Sequence, residues 1–312
     1  MFGSAWGLWT NYFLRGEMDM ALATAQSVDA MAAGSGSKML LVAADHAVGF
    51  TLYYRGDLAA ALGRAESGAA RFDEDTERKI VRMFQFSSTT AMYAFEASSL
   101  WMMGREAEAD SALERSLALP ESLGHAPSIA FSLAFTQYTF MYKRDWRRVR
   151  ATASRLIQLS EREGFQMWIP LAQTFLGLCD AVEGELEKGL ASAIDGFEGY
   201  AATGTGLTLT QLAPSIAELL ISAGRLAEAV QRLDSAIESG VRRREAAYLS
   251  ELYRVRGLAH QSLGARKQAG ADFTMTCDLA RSQGAATLLR RAEESLRAIS
   301  ADTERALRRS DA

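Results

Sequence analysis

The sequence predicts an all-α, right-handed solenoid of about seven helix pairs, closed by a C-terminal capping helix. Three observations carry this prediction. A short glycine-containing turn recurs about every 40 residues, small residues recur at matching positions on both sides of it, and apolar residues follow helical spacing without an alternating strand pattern. Such units bury their apolar faces only against their neighbours, so a stacked array is expected.

The recurring turn reads RGEMDMA, RGDLAAA, MGREAEA, EGELEKG, AGRLAEA and LGARKQA along the chain. Its glycines are separated by 40, 48, 80, 40 and 40 residues. The interval of 80 divides at KRDWRRV, and the interval of 48 indicates an eight-residue insertion near residues 72 to 90. Seven units follow, with the anchors Gly16, Gly56, Gly104, Arg144 in place of a glycine, Gly184, Gly224 and Gly264.

Small residues mark the places where two helices of one unit approach closely. Seven residues before the anchors, five of the seven positions are Gly or Ala, with Trp9 and Gln137 as the exceptions. Each unit is therefore predicted to contain one helix of roughly 14 residues before the anchor and one of roughly 16 after it. Five residues after the anchors stand Ala21, Ala61, Ala109, Val149, Gly189, Ala229 and Ala269.

We expect one domain over residues 1–312, with repeats over about 1–283 and the capping helix over about 284–309, because each repeat is stable only against its neighbours. The net charge of −4 offers no basic field for a nucleic acid, so no nucleic-acid partner is expected. Residues 122–142 carry no formal charge, but their hydroxyl and amide side chains favour a buried solenoid helix over a membrane span.

Two cysteines and three histidines are too few and too dispersed to indicate a disulfide scaffold or a metal site, and they favour a reducing cytoplasm. The sequence contains none of the nucleophile-elbow, zinc-protease or phosphate-loop motifs. We therefore expect no catalytic activity, no cofactor and no metal.

The candidate functional surface is the inner wall of the superhelix. Residues 13, 10, 6 and 3 before each anchor share one face of the first helix, and we expect this face to line the concave groove. Its aromatic side chains concentrate in units one to four. The candidate groove residues, predicted to line one continuous cavity, are His46, Phe50, Tyr53, Trp101, Tyr138 and Met141.

Two explanations of this aromatic groove stay open at the level of sequence. The groove binds a partner peptide, a partner helix or a small apolar effector, with His46 and Tyr53 as polar handles. Alternatively, tight curvature or the insertion, through Phe84 and Phe86, fills the groove with the protein's own side chains.

Two other functions are alternatives to an interaction module. The first is an enzyme that uses the aromatic cleft. The second is a structural scaffold that self-associates through its first repeat, since no preceding repeat covers Trp9 and Tyr12 and two copies could pair there as a homodimer.

The anchor glycine, the small residues around it and the bulky residues four positions before it resemble the tetratricopeptide (TPR) repeat, although that repeat has 34 residues. Over residues 5 to about 283, segments such as HAVGFTLYYRGDLAAAL, SSLWMMGREAEADSAL and EREGFQMWIPLAQTFLGLCDAVEGELEKG resemble the C-terminal repeat region of bacterial class III adenylate cyclase and predicted-ATPase multidomain regulators. The resemblance implies a sensory or scaffolding region. It implies neither cyclase nor ATPase activity for this chain, because the phosphate-loop motif GxxxxGK[ST] is absent and the stretch TGTGLTLT is interpreted as a loop.

Overall fold

The computed structural model describes the backbone of residues 1–310 and the side chains of residues 1–298. Within that part, sixteen α-helices and no β-strand are present, which confirms the all-α solenoid. In chain order the helices are α1 (Phe2–Leu14), α2 (Met18–Ser35), α3 (Lys38–Tyr54), α4 (Leu58–Ala70), α5 (Glu74–Phe84), α6 (Ser88–Met102), α7 (Glu106–Leu123), α8 (Ala126–Tyr142), α9 (Trp146–Glu163), α10 (Trp168–Val182), α11 (Leu186–Ala202), α12 (Leu209–Ser222), α13 (Leu226–Arg243), α14 (Leu249–Ser262), α15 (Arg266–Ser282) and α16 (Ala286–Ser310).

Seven helix pairs account for all of these except α5 and α16. The pairs are α1/α2, α3/α4, α6/α7, α8/α9, α10/α11, α12/α13 and α14/α15, and each turn within a pair lies at a predicted anchor. In the part of the chain that is described, no helix is both long and apolar enough to cross a bilayer. The division into one domain stays a prediction.

The anchors explain why glycine recurs. All seven have positive φ, from 61° at Arg144 to 116° at Gly184, and a residue without Cβ adopts this left-handed conformation most easily. Arg144 therefore does take the glycine's place in unit four. A second set of residues with positive φ, which the repeat pattern above did not include, lies 20 residues after the anchors, where the second helices end. Its members are Gly36, Gly124, Gly164, Gly204, Arg244 and Gly284.

The small residues lie where the helices of a pair cross. In the pair α10/α11, a Cβ on Gly177 would lie 2.4 Å from the backbone nitrogen of Ala193, and a Cβ on Gly189 would lie 2.2 Å from that of Ala181. No side chain fits at either position. The two backbones are in contact, as the small-residue columns predict.

The predicted insertion forms the extra helix α5 between units two and three. Eight additional residues suffice for this 11-residue helix because α4 has only 13 residues, whereas α2 has 18. Asp73 caps α5 by accepting a hydrogen bond of 2.8 Å from the backbone nitrogen of Thr76, and Ile80 is fully buried. The helix is thus anchored to the solenoid by an apolar side chain.

The superhelix curves until the turns of its second half reach the first half. The last carbonyls of a helix have no partner within the helix, and here groups from units six and seven and from α16 satisfy them at the ends of α1, α3, α6 and α8. The hydrogen bonds are Gly206 N to Leu14 O (2.9 Å), Ala246 N to Tyr54 O (2.8 Å), Thr287 Oγ1 to Trp101 O (2.8 Å) and Arg291 Nη2 to Tyr142 O (2.7 Å).

Candidate functional site

The predicted groove face points to the centre of the superhelix. The hydroxyl of Tyr53 donates to that of Tyr248, 195 residues away, at 3.2 Å, and the hydroxyl of Tyr138 donates to Thr208 Oγ1 at 2.8 Å. Side chains of units two and four thus touch the second half of the chain. All six candidate groove residues are 3% exposed or less.

The centre of the groove is filled by the protein itself. Phe50, Tyr53 and Tyr138 border a void of only about 10 Å³, together with Gln211 from unit six. One water molecule needs about that much space, so no larger ligand fits in this conformation. Burial raises the pKa of Tyr53 to about 12, so this hydroxyl stays protonated as a polar handle.

The N-terminal end of the groove is an aromatic cluster around His46. The imidazole lies 5.5 Å from the ring of Trp6 and 5.6 Å from the ring of Phe86, and its Nδ1 lies 3.3 Å from Ser88 Oγ. Burial lowers the pKa of His46 to about 3, so the imidazole is neutral. Phe84 packs against Trp6 at 4.6 Å, so both aromatic side chains predicted as fillers lie over this end.

The C-terminal end of the groove opens to solvent beside Trp101. A cleft of about 270 Å³ is lined by Trp101, Tyr142, Arg291 and Glu294, among others. An adjoining opening of about 400 Å³ shares Arg291 and Glu294 and extends along α14. We call these two openings together the charged cleft.

The six candidate residues therefore do not share one cavity, and that prediction is wrong. His46 lies in the aromatic cluster and Trp101 lies at the charged cleft. The central void is bordered by Phe50, Tyr53 and Tyr138. Met141 is fully buried. The prediction failed because the two halves of the closed superhelix meet in its bore, which sequence periodicity does not reveal.

Ion pairs organise the charged cleft. Arg254 donates to Glu218 at 2.7 Å and pairs with Glu251 at 2.8 Å, while Arg144 contacts Glu218 and Arg291 lies 3.4 Å from Glu251. Burial by itself would raise the pKa of Glu251, but the adjacent Arg254 and Arg291 hold it below its usual value. The cleft therefore presents fixed charges of both signs.

Several of these charged residues were visible in the sequence. Glu218, Glu251 and Arg254 occupy groove-face positions of units six and seven, yet the aromatic residues of units one to four determined the choice of candidates. A charge at a position expected to face inward was the signal that could have identified them. Arg291 could not be found in this way, since it belongs to α16, outside the repeats.

A further opening of about 510 Å³ lies between α11, α12 and α13. It is lined by apolar side chains, including Phe197, Leu209 and Ile216, and by the charged side chains of Glu228 and Arg232. None of the predicted groove residues lies there. Among the described residues, no cluster of His, Cys, Asp and Glu is placed to hold a metal ion.

Of the two aromatic side chains expected to be uncovered at the first repeat, Trp9 is buried and Tyr12 is partly exposed. Trp9 is 3% exposed, and its indole nitrogen donates to Thr51 Oγ1 at 2.9 Å, because the ring turns inward against unit two instead of outward. The expectation that Trp9 is uncovered was wrong. Pairing of two copies through the first repeat stays a prediction.

Comparisons with known proteins identify the fold and one relative. No family model matches the chain. An uncharacterized protein of Rhizobium meliloti (strain 1021) is 31% identical over 204 residues, which cover 65% of this chain. The aligned region spans only 20% of that relative, so the chain corresponds to about a fifth of its length.

Two solved structures are similar in fold. A Rap protein complexed with Competence and Sporulation Factor matches with a TM-score of 0.66 at 14% identity, covering 88% of this chain and 73% of that chain. The Rap conjugation gene regulator of the plasmid pLS20, in complex with a Phr peptide, matches with a TM-score of 0.52 at 12% identity, covering 97% of both chains. The fold is that of the TPR-like helical repeats.

Proposed function

We propose that the chain is a non-catalytic interaction or effector-sensing module of the cytoplasm, which binds a partner peptide, a partner helix or a small apolar ligand in its concave groove. The observation that carries the proposal is the fold. Two proteins of similar fold were solved in complex with Competence and Sporulation Factor or with a Phr peptide, and the groove of this chain combines an aromatic interior with a charged, open end.

The charged cleft is the proposed entrance. Trp101 borders this opening but is covered by the guanidinium of Arg291 at 5.2 Å, so a ligand reaches the ring when Arg291 moves aside, and the carboxylate of Glu294 lines the same opening. A peptide carries amide groups and charges of both signs, which such a cleft can pair. Deeper binding at Phe50, Tyr53 and Tyr138 requires these side chains to separate, because the central void holds only about 10 Å³.

Burial supports a binding role over catalysis. His46 and Ser88 lie 3.3 Å apart, a pairing that nucleophilic catalysis could use, but burial lowers the pKa of His46 to about 3, which makes it a weak base, and the ring is 3% exposed beneath aromatic rings. A substrate cannot reach it unless the protein opens. Neither alternative function, the enzyme nor the self-associating scaffold, has an observation of its own in its favour.

We further propose that this module works within a larger bacterial regulator. The relative in Rhizobium meliloti is about five times as long as the aligned region, and the resemblance to repeat regions of cyclase and ATPase regulators suggests what its remaining length contributes. In such a setting the groove would sense a peptide or effector and transmit its occupancy to an attached domain.

Selection of peptides from a random linear library on the immobilised protein tests the proposal. We expect an enriched sequence whose synthetic peptide binds in solution, measured by fluorescence anisotropy. Trp101→Leu should weaken this binding about tenfold or more, as loss of an aromatic anchor does.

The matched control is Tyr93→Leu on the same helix, α6. Its ring packs under Arg115 of α7 at 4.3 Å, away from the bore, so binding should be unchanged. Circular dichroism establishes that both variants fold. Selection that enriches no peptide, or equal binding by both variants, would contradict the proposal.

A further inference from the structure

The insertion places two aromatic side chains over one end of the groove. Phe86 lies 5.6 Å from His46 in a stacked arrangement and 4.5 Å from Phe131 in an edge-to-face one, while Phe84 lies 4.6 Å from Trp6. We call residues 84–86 the aromatic plug. The plug is part of the protein but not part of the 40-residue repeat.

The receiving side chains do belong to the repeat. Trp6, His46 and Phe131 occupy groove-face positions in units one, two and four. The regular helices therefore build an aromatic chamber, and the irregular segment fills it. Since the period is otherwise kept in the neighbouring units, the chamber would exist without the insertion.

The chamber selects for aromatic groups. Its walls are rings in edge-to-face and stacked contact, arrangements that favour another aromatic ring over an aliphatic chain of similar size. Its single titratable member, His46, is neutral because burial lowers its pKa to about 3, so no charge is required of an occupant.

The plug is held less firmly than the helix that carries it. Ile80 and Glu77 are buried and tie α5 to the solenoid, and the carboxylate of Glu77 accepts a hydrogen bond of 2.6 Å from each of the hydroxyls of Ser87 and Thr89. Phe84 and Phe86 are only half-buried, and Gln85 between them is exposed with φ at 55°, a left-handed conformation that costs a residue with a side chain. Displacement of the plug thus disturbs α5 only at its last residue, Phe84, and leaves the repeat core in place.

We infer that the aromatic plug is an internal occupant of the site for a peptide with two aromatic residues separated by one residue. In the segment Phe84-Gln85-Phe86, two aromatic residues separated by one residue already contact the chamber, Phe84 at Trp6 and Phe86 at His46. The inference rests on the proposed peptide-binding function, and it adds the chemistry of the ligand and an autoinhibitory contact that the ligand must displace.

The test uses the full chain with Phe84→Ala and Phe86→Ala together. The probe is a synthetic peptide with the sequence of residues 82–88, Arg-Met-Phe-Gln-Phe-Ser-Ser, and the control peptide carries Ala at both Phe positions. Binding is followed by tryptophan fluorescence, since Trp6 and Trp9 adjoin the chamber. We expect the double variant to bind the aromatic peptide at least about tenfold more tightly than the unmodified protein does. Neither of the two proteins should bind the control peptide.

Two further variants keep the test decisive. Met83→Ala removes an exposed side chain, 58% accessible, from the same segment and should leave affinity unchanged. If the double Ala variant does not fold, Phe84→Leu with Phe86→Leu keeps the apolar volume and should still bind the aromatic peptide more tightly than the unmodified protein. Equal affinity of the plug variant and the unmodified protein would overturn the inference.

The two proposals fail in different ways. If library selection enriches no peptide and the plug variant does not take up the aromatic peptide either, the proposed function falls and the plug inference falls with it. If selected peptides bind the unmodified protein and plug variants do not alter their affinity, the proposed function stands and the plug is overturned.

Discussion

At the scale of single residues, Glu245 is the buried acid with the clearest consequence. It follows the turn residue Arg244 and is 1% exposed, with Oε1 accepting a hydrogen bond from Thr210 and Oε2 buried without a partner. Burial raises its pKa from 4.5 to about 7. The folded protein therefore holds a proton that the unfolded chain releases at a lower pH.

This shift predicts a pH dependence of stability. Because the folded-state pKa lies above the unfolded one, the contribution of Glu245 is complete below pH 4.5, falls as the pH rises from 4.5 to 7, and is lost above that range. Glu245→Gln keeps an oxygen that can accept from Thr210 and cannot ionise. Its unfolding free energy, relative to the unmodified protein, should rise by about 3 kcal/mol between pH 4.5 and pH 8 in urea titrations.

The control for this prediction is Glu238→Gln, whose carboxylate is 78% exposed on α13. Its stability should follow the unmodified protein at every pH, because surface ion pairs contribute little. A Glu245→Gln profile parallel to that of the unmodified protein would show that Glu245 does not titrate in this range.

At the scale of elements, the helix pair α10/α11 shows how small residues set the geometry of a repeat. Gly177 and Gly189 face each other's helix so closely that a Cβ on either would lie under 2.5 Å from backbone atoms. Backbone cannot move aside as a flexible side chain can. The contact therefore fixes the distance between the two helix axes.

Gly177→Ala should destabilise the protein by about 3 kcal/mol, because overpacking against backbone forces the helices apart. Thermal or urea unfolding measures the loss. The matched control is Gly270→Ala within α15, where a Cβ would meet no atom within 4 Å. There the loss of backbone freedom in the unfolded chain should stabilise the protein by up to about 1 kcal/mol. A similar effect of both substitutions would refute the close-contact interpretation.

At the scale of the whole molecule, closure of the superhelix is the dominant feature. Backbone and side-chain donors of the second half satisfy carbonyls at the helix ends of the first half, and α16 supplies two of them through Thr287 and Arg291. Tyr53 and Tyr248, 195 positions apart, thereby become neighbours. The aromatic bore is filled by side chains because its two halves are in contact.

Thr287→Val combined with Arg291→Met should loosen this closure, since each keeps much of the side-chain volume but removes a hydrogen bond to Trp101 O or Tyr142 O. We expect a loss of about 2 kcal/mol in unfolding free energy. Hydrogen exchange in peptides containing Trp101 and Tyr142 should accelerate about tenfold.

Arg242→Met is the control for closure, because Arg242 lies exposed on α13 and pairs with Glu238 of the same helix at 3.3 Å. Its exchange pattern should match the unmodified protein. If exchange near Trp101 stays unchanged in the α16 variant, the helix does not hold the ring closed.

Much of the fold was predictable from particular residues. The glycine anchors and the small residue five positions later gave the number of repeats, including the replacement by Arg144, which has the φ of 61° that its position demands. The insertion was predictable from the interval of 48 residues. The second turn column escaped notice, although the glycines from Gly36 to Gly284 carried the same 20-residue signal.

The candidate site was less predictable. Periodicity correctly placed Phe50, Tyr53 and Tyr138 on the inner face, where they meet unit six. It could not show that the bore is filled. That these residues bind a ligand stays a prediction. The charged cleft was not predictable, because it is formed by α16 together with residues that meet only when the two halves of the chain come into contact.

By itself the sequence determined the local structure: which residues form helices, where the chain turns, and which face of each first helix points inward. These local features follow from short-range sterics and helical spacing, both of which can be read from a single 40-residue repeat. Only the tertiary structure decided whether the groove is open. That outcome depends on curvature summed over seven units, so that small rotations at each contact bring Leu14 to Gly206 and Tyr54 to Ala246. The sequence of any single repeat does not determine the sum of these rotations over the whole chain.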